Sequence, residues 1–147
     1  MAILDNKKAL FSYEPIEKYE AGIELLGFEV KSLRAGKGSL AGCYVSIKGG
    51  EAWLLGATIS PYQMGNTPAD YVPTRPRRLL LSKKELEQLT RGSERDGLTI
   101  VPLSMYNKGR KIKVELALSR GKKKHDKRET LKRRDSNREI ERTLKTY

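Results

Sequence analysis

The most regular alternation of hydrophobic and polar positions lies at residues 111–118. Lys113, Glu115 and Ala117 separate four aliphatic side chains there: Ile112, Val114, Leu116 and Leu118. This period of two predicts a strand with one buried and one exposed face. An apolar-rich run at residues 98–106 precedes it, followed by Asn107-Lys108-Gly109, which suits a turn. The two runs are therefore predicted to form a β-hairpin.

Further extended runs occur in the first half of the chain. Residues 19–26 are rich in apolar side chains, and residues 44–47 and 52–59 flank Gly49-Gly50. A Gly-Gly pair between two such runs is typical of a tight hairpin turn. This pattern predicts a second hairpin. We also expect three aromatic residues to belong to the core: Phe28, Tyr44 and Trp53.

One helix has a clear sequence signature. Ser82 is followed three residues later by Glu85, which is the spacing of a capping box at a helix N-terminus. Leu86 and Leu89 give this helix an apolar edge, and Gly92 is predicted to end it.

Two other segments are shorter or less regular. A short helix is predicted at residues 29–34 and is ended by Gly36. Residues 60–78 contain four of the six prolines of the chain, so an irregular surface loop is expected there.

Together these elements predict a mainly β fold. Many short strands, two hairpins and a few small helices favour an oligonucleotide-binding-like antiparallel β-barrel with short flanking helices and a basic C-terminal tail. We divide the chain into a β-barrel body, residues 1–118, and a tail, residues 119–147.

The tail differs from the body in composition. It has twelve Lys and Arg residues against five Asp and Glu residues, and its only aliphatic side chains are Leu131, Ile140 and Leu144. Three such side chains bury too little surface to offset the entropy cost of ordering the segment. The pairs Glu129 with Arg133 and Glu141 with Lys145 favour a helix weakly. We therefore expect a tail that is disordered when free and becomes helical on a partner.

Charge indicates the class of partner. The 147 residues carry a formal net charge of +12, which suits nucleic acid, an anionic membrane surface or an acidic protein. Nucleic acid is favoured, because cationic side chains release the counterions condensed on its phosphates. A membrane-surface role ranks lower, since the tail lacks the wide apolar face that such helices need.

The chain offers little catalytic chemistry. His125 is the single histidine and lies in the tail, and Cys43 is the single cysteine. A general base needs a fixed partner and a dry pocket, and Cys43 is expected to be a small buried apolar side chain. Phosphate-binding loops and metal-ligand spacings are not visible. We expect no enzyme activity, catalytic residue, metal site or cofactor.

The sequence also bears on location. No stretch approaches the roughly 20 apolar residues of a membrane span, and the first ten residues lack the apolar run of a signal peptide. We expect a cytoplasmic protein without a membrane partner.

The basic residues near glycines and prolines, among them Lys31, Arg34, Arg75, Arg77 and Arg78, are candidates for contact with phosphate.

Several motifs, in order along the chain, resemble one family. They are Tyr19-Glu20-Ala21-Gly22-Ile23, Glu29-Val30-Lys31-Ser32-Leu33-Arg34-Ala35-Gly36-Lys37, Arg78-Leu79-Leu80-Leu81, Lys113-Val114-Glu115-Leu116-Ala117-Leu118 and His125-Asp126-Lys127-Arg128-Glu129. The sequence is similar to the SsrA-binding protein (small protein B) family from about Asn6 to its end.

This resemblance implies a bacterial ribosome-rescue factor with an oligonucleotide-binding-type barrel. Such a factor binds the tRNA-like domain of transfer-messenger RNA (tmRNA) and delivers it, with elongation factor Tu, to stalled ribosomes for trans-translation. The tail is implied to enter the messenger channel at the small-subunit decoding centre. A structural ribosomal protein and a general RNA chaperone remain alternatives; selectivity for one tRNA-like RNA distinguishes a rescue factor from both.

The resemblance also implies site residues. In the body the implied RNA-binding residues are Glu20, Leu80 and Lys113, with Lys31 and Arg34 as neighbours. In the tail the residues implied at the decoding centre are Gly121, His125, Asp126, Lys127 and Arg128. Glu20 can accept a hydrogen bond from a base amino group or from a 2′-hydroxyl, which only RNA offers.

Overall fold

A computed structural model of the chain describes residues 2–62, 65 and 67–122. Within these ranges there are nine strands and three helices. In chain order they are β1 (Ala2–Asp5), α1 (Lys7–Ser12), β2 (Tyr13–Ile23), α2 (Gly27–Arg34), β3 (Gly38–Ser39), β4 (Tyr44–Lys48), β5 (Glu51–Leu55), β6 (Thr58–Ile59), β7 (Arg77–Leu80), α3 (Lys83–Glu94), β8 (Thr99–Lys108) and β9 (Lys111–Gly121).

Seven strands form one antiparallel sheet. Their order is β1-β8-β9-β2-β7-β5-β4, and β3 and β6 form a separate two-stranded sheet. The edge strand β4 packs against β8, so the large sheet curls on itself. The predicted fold, mainly β and antiparallel with short flanking helices, is confirmed.

Both predicted hairpins are present. β4 and β5 pair across Gly49-Gly50, and β8 and β9 pair across Gly109-Arg110. The second turn is therefore shifted from the predicted Asn107-Lys108-Gly109, because β8 continues to Lys108. Gly109 has φ 65°, a left-handed conformation that glycine adopts without steric cost.

The predicted alternation in β9 holds for its four aliphatic residues. Ile112, Val114, Leu116 and Leu118 are all buried and belong to the core. Near the end of the strand the alternation fails, because Ala117 is buried as well. Ala117 pairs with Val101 of β8, and α1 packs against β8 and β2 on either side of β9. α1 thus covers part of the face of β9 that the alternation predicted to be exposed.

The capping box at Ser82 and Glu85 is confirmed, since each side chain accepts a hydrogen bond from the other residue's backbone N–H. The predicted end of this helix at Gly92 is wrong, because α3 continues to Glu94. A Cβ at Gly92 would lie 2.7 Å from a methyl carbon of Leu118. The glycine therefore allows α3 to pack closely on β9 and does not end the helix.

Two further expectations need correction. Residues 77 and 78, assigned to the proline-rich loop, lie in β7, where they pair with β5. Tyr44, expected in the core, is 50% exposed, because Val45 and not Tyr44 points inward at the start of β4. The helix α1 and the strand β1 are too short to give a periodic signal, and the sequence did not predict them.

Candidate RNA-binding surface

The outer face of the curled sheet brings Leu80 and Lys113 to the two sides of one glycine. Gly22 of β2 pairs with Leu80 of β7 and with Lys113 of β9. A Cβ at Gly22 would lie 3.3 Å from the Leu80 Cβ and 3.6 Å from the Lys113 Nζ. Gly22 thus leaves space above the strand for both side chains, and Leu80 is 46% exposed.

Glu20 lies on the same face of β2, two residues before Gly22. It accepts hydrogen bonds from the Tyr106 hydroxyl and from the Lys108 Nζ, the latter at 2.8 Å. The hydrogen bonds from Lys108 and Tyr106 lower the Glu20 pKa below its ordinary value. Glu20 is therefore an ionised acceptor whose charge is offset by a neighbouring lysine.

Tyr106 is the other half of this contact. Burial and, after it, the hydrogen bond to Glu20 together raise the pKa of the Tyr106 hydroxyl to about 12. The hydroxyl consequently stays protonated at neutral pH and acts as a donor. Tyr106 also pairs with Lys113 across the β8–β9 ladder, so it links Glu20 to the row formed by Leu80, Gly22 and Lys113.

The helix α2 carries Lys31 and Arg34 beside this face. The Arg34 Nη2 donates a hydrogen bond of 2.8 Å to the Arg110 carbonyl oxygen in the β8–β9 turn. Lys31 is exposed one turn earlier on α2. The structure therefore places Arg34 at the rim of the surface that holds Leu80 and Lys113, with Lys31 as its neighbour on the helix.

Between α2, β2, β7 and the β8–β9 turn lies a depression of about 340 Å³, here called the outer-face pocket. It combines an apolar floor with a cationic rim. Its lining residues are Gly22, Ile23, Leu25, Val30, Leu80, Arg110, Lys111, Ile112 and Lys113. No acidic side chain is among these residues, so the pocket is suited to an anionic ligand that also has an apolar part.

A buried ionic network holds α2 against the rest of the body. Arg77 and Glu29 are both fully buried, and the Arg77 Nη2 lies 2.7 Å from the Glu29 Oε2. Arg75 also binds Glu29, as does the Tyr71 hydroxyl at 2.9 Å. Burial by itself raises the Glu29 pKa, but the hydrogen bonds from Arg75, from the Leu26 backbone and from Arg77 outweigh it and lower that pKa.

This network changes the interpretation of one basic cluster. Arg77 also donates to the carbonyl oxygens of Ala57 and Pro73, at 2.9 and 2.8 Å. With all its donors committed inside the protein, Arg77 cannot contact RNA, contrary to the sequence-based candidate list. Arg78 pairs with Glu24 and Glu51 at the surface.

Sequence reasoning did not single out Tyr106, Lys108 and Arg110. The signal was present in the hairpin, because a two-residue turn fixes which residues of its strands lie opposite each other. Counting back from Gly109-Arg110 places Lys108 opposite Lys111 and Tyr106 opposite Lys113. Locating the turn one or two residues early concealed this register.

Of the five residues implied at the decoding centre, Gly121 lies within the described part of the chain. Gly121 is the last residue of β9 and pairs with Tyr13 of β2. β9 thus continues past the boundary at residue 118 that composition suggested. His125, Asp126, Lys127 and Arg128 lie outside the described residues.

Two observations bear on catalysis. Within the ranges that the structure describes, no group of three or more His, Cys, Asp or Glu side chains is placed to hold a metal ion. Cys43 is buried, and burial raises the pKa of its thiol to about 12. A thiol with so high a pKa is a poor nucleophile.

Within the part of the chain that the structure describes, no helix has the length and hydropathy of a membrane span.

Comparisons with known proteins agree with one another. The sequence profile of the family described as "SmpB protein" matches residues 3–146. The SsrA-binding protein of Nostoc punctiforme is 50% identical over 145 residues, which is 99% of this chain and 94% of that protein. That of Trichodesmium erythraeum is 51% identical over 145 residues, 99% of this chain and 93% of the relative.

A solved structure is similar as well. It is described as "tmRNA-SmpB: a journey to the center of the bacterial ribosome" and is 44% identical, with a TM-score of 0.68. The similarity covers 87% of this chain and 93% of the other.

Proposed function

Because the chain belongs to the SmpB protein family, we propose that it is an RNA-binding ribosome-rescue factor. It binds the tRNA-like domain of tmRNA and delivers this RNA to stalled ribosomes for trans-translation. The names of its relatives support binding to SsrA RNA, and its structural neighbour includes tmRNA and the bacterial ribosome. The protein acts by binding and not by catalysis, and its place of action is the cytoplasm.

One observation carries this proposal: Leu80, Gly22 and Lys113 form a row on the exposed face of the sheet. A lysine next to an exposed leucine suits a ribose-phosphate chain with an unpaired base. The glycine between them keeps the surface open to a ligand.

The other body residues have supporting roles in this proposal. Glu20 accepts a hydrogen bond from a base or a 2′-hydroxyl of the RNA, held in place by Tyr106 and Lys108. Arg34 and Lys31 contribute phosphate contacts at the rim, because both are exposed on α2 and Arg34 reaches the β8–β9 turn.

The tail is proposed to act on the ribosome. Gly121 begins the segment, and His125, Asp126, Lys127 and Arg128 contact the small-subunit decoding centre and the messenger channel. The excess of basic residues in the tail supports contact with ribosomal RNA. Elongation factor Tu is a further partner within the delivery complex.

The proposal is tested by RNA selectivity. The full chain is expected to bind the tRNA-like domain of tmRNA at least about ten times more tightly than a scrambled RNA of equal length, at physiological salt, where non-specific binding is weak. RNA copurifying with the protein should be enriched in tmRNA. Equal affinity for the two RNAs would instead indicate a general RNA chaperone.

A further inference from the structure

Trp53, which the sequence pattern places in the core, lies on the outer face of the sheet instead. Ala52 and Leu54, its neighbours on β5, are both fully buried, so the side chain of Trp53 points the other way. It is half-buried there, and its partners across the strands are Ser46 of β4 and Arg78 of β7. The single tryptophan of the chain is therefore part of the surface.

Trp53 contributes to a surface depression of about 260 Å³, here called the Trp53 depression. Three of its five lining side chains are apolar. The five are Ser46, Lys48, Trp53, Leu55 and Pro76. Because pockets for small ligands begin at about 300 Å³, this depression suits one inserted side chain better than a nucleotide.

The charges around the Trp53 depression do not suit a phosphate chain. Arg78, beside Trp53, is paired with Glu24 and Glu51 at 3.5 and 3.2 Å. Lys48 is exposed and forms no salt bridge with any residue that the structure describes. One cation is thus available at the rim, and it suits a carboxylate placed next to an apolar side chain.

The basic tail contains this combination once. Its aliphatic side chains, all outside the described residues, are Leu131, Ile140 and Leu144. Leu131 and Leu144 each stand between a threonine and a lysine, whereas Ile140 stands between Glu139 and Glu141. Charge complementarity with Lys48 therefore selects Ile140 among the three.

From these observations we infer that the Trp53 depression holds Ile140 of the same chain when the protein is free, with Glu139 or Glu141 paired with Lys48. The inference goes beyond the proposed function, because it concerns the protein before it meets RNA or the ribosome. The contact involves three consecutive residues, and the expectation of disorder remains for the rest of the tail.

The contact is suited to release. One buried aliphatic side chain gains free energy by leaving water, but closing a loop of this length costs entropy. Docked and released forms are therefore both populated. Phosphates of a ribosomal groove compete for the basic tail and shift this balance towards release.

The start of the tail lies on the side of the molecule that carries the depression. The Lys122 N–H donates a hydrogen bond of 2.9 Å to the Ser12 carbonyl oxygen at the end of α1. Ser12 and Tyr44 line one depression beside α1, and Tyr44 pairs with Leu55. Ile140 follows Lys122 by 18 residues, which span up to about 60 Å when extended. Ile140 is therefore within reach of the Trp53 depression.

Fluorescence of Trp53 reports directly on this contact, since the chain has no second tryptophan. Quenching by acrylamide is measured on the full chain in the wild type and in Ile140→Ser. It should be about 2-fold stronger in the variant, because the wild type is docked for part of the time. Leu131→Ser and Leu144→Ser are matched controls that should be quenched like the wild type. Equal quenching of Ile140→Ser and the wild type would overturn the inference.

An exchange of charges tests the ion pair. Lys48→Glu should strengthen the quenching of Trp53, and so should the double substitution Glu139→Lys with Glu141→Lys. The three substitutions combined restore opposite signs and should restore protection. A purely local effect of Lys48 on β4 would not be rescued in this way, so quenching of the combined variant as strong as in Lys48→Glu would rule out the pairing.

A second measurement identifies the occupant. A nitroxide label is attached to Ser136→Cys, while Cys43 stays unlabelled because it is buried. The indole N–H signal of Trp53 should be broadened equally at all protein concentrations, and Ile140→Ser should remove the broadening. Broadening that grows with concentration would assign the depression to a second copy of the chain. A signal that the label leaves unchanged, but that the tRNA-like domain of tmRNA shifts, would assign it to RNA; either result would overturn the intramolecular contact.

Discussion

Leu80 and Lys113 are 33 residues apart in sequence, yet they flank the same residue, because β7 and β9 both pair with β2 at Gly22. The small size of glycine lets both side chains approach above the strand. An exposed leucine and a lysine ammonium group are thereby presented side by side to solvent. The predictions below concern this surface, the network that supports it and the tail.

Replacing Lys113 with alanine is expected to weaken binding to tmRNA while leaving the fold intact. Lys113 is half-buried on β9. It does not belong to the hydrophobic core, although its neighbours Ile112 and Val114 do. Loss of one phosphate contact should also reduce the slope of log affinity against log salt by about one unit. Circular dichroism checks the fold, and a gel shift at several salt concentrations checks the slope.

Lys84→Ala is the control for this prediction. Lys84 is an exposed lysine near the start of α3, and its removal changes the net charge by the same amount. It should leave the affinity for tmRNA nearly unchanged. Equal losses in both variants would mean that Lys113 contributes only to the general charge.

Tyr106→Phe is expected to raise the pKa of Glu20 towards its ordinary value. The substitution removes a hydrogen bond that stabilises the carboxylate, while that from Lys108 remains. A carboxyl-detected NMR titration measures the change. Because Glu20 becomes less well positioned, affinity for tmRNA should fall by about 3-fold to 10-fold, the usual effect of one hydrogen bond.

Tyr44→Phe controls for the loss of a surface tyrosine hydroxyl, since Tyr44 is exposed on β4 away from Glu20. Neither the Glu20 pKa nor the affinity should change in this variant. A Glu20 pKa that is unaffected by Tyr106→Phe would show that Lys108 alone controls it.

Stability should fall in acid because of Glu29. Its pKa in the folded protein is below the ordinary value of 4.5, so the unfolded chain takes up the proton first as the pH falls. The contribution is complete above pH 4.5 and is lost as the pH falls through the folded-state pKa. Urea unfolding between pH 3 and pH 7 measures this loss.

Glu29→Gln is expected to reduce that acid dependence and to lower stability at pH 7 by about 3 kcal/mol, since it leaves the buried Arg77 without a charged partner. Glu87→Gln, at an exposed position of α3, should change neither quantity. If Glu29→Gln unfolds with the wild-type pH profile, the network does not carry the acid dependence.

Replacing Asp126, Lys127 and Arg128 together with alanine is expected to spare binding of tmRNA and to abolish peptide tagging on a stalled ribosome. The reason is a division of tasks, in which the body selects the RNA and the tail engages the decoding centre. Affinity for tmRNA and tag transfer are measured in parallel in a reconstituted translation system. Normal tagging by this variant would reduce the tail to a non-specific electrostatic arm.

The local patterns of the sequence determined much of the fold. The alternation in β9, the Gly-Gly turn and the capping box at Ser82 each involve residues that are close together in the chain. Such features can therefore be recognised from the sequence pattern alone. The excess of basic residues likewise identified nucleic acid as the partner class, and the motifs around Glu20, Leu80 and Lys113 identified the family.

Other features were decided only by the tertiary structure. Gly92 looked like a helix end, but its role is to let α3 approach Leu118 of β9. Arg77 looked like a phosphate ligand, but it is buried against Glu29, 48 residues away. Each depends on a contact between residues distant in sequence, which no local pattern encodes.

The outer-face pocket shows the same division. The sequence supplied Leu80 and Lys113 as separate motifs, while the sheet register placed them around Gly22 and brought Arg110 and Val30 to the same depression. A strand exposes alternate side chains, so its own sequence determines which residues can face outward. Which of them become neighbours depends on the order and register of the strands, and those are set by packing of the whole core.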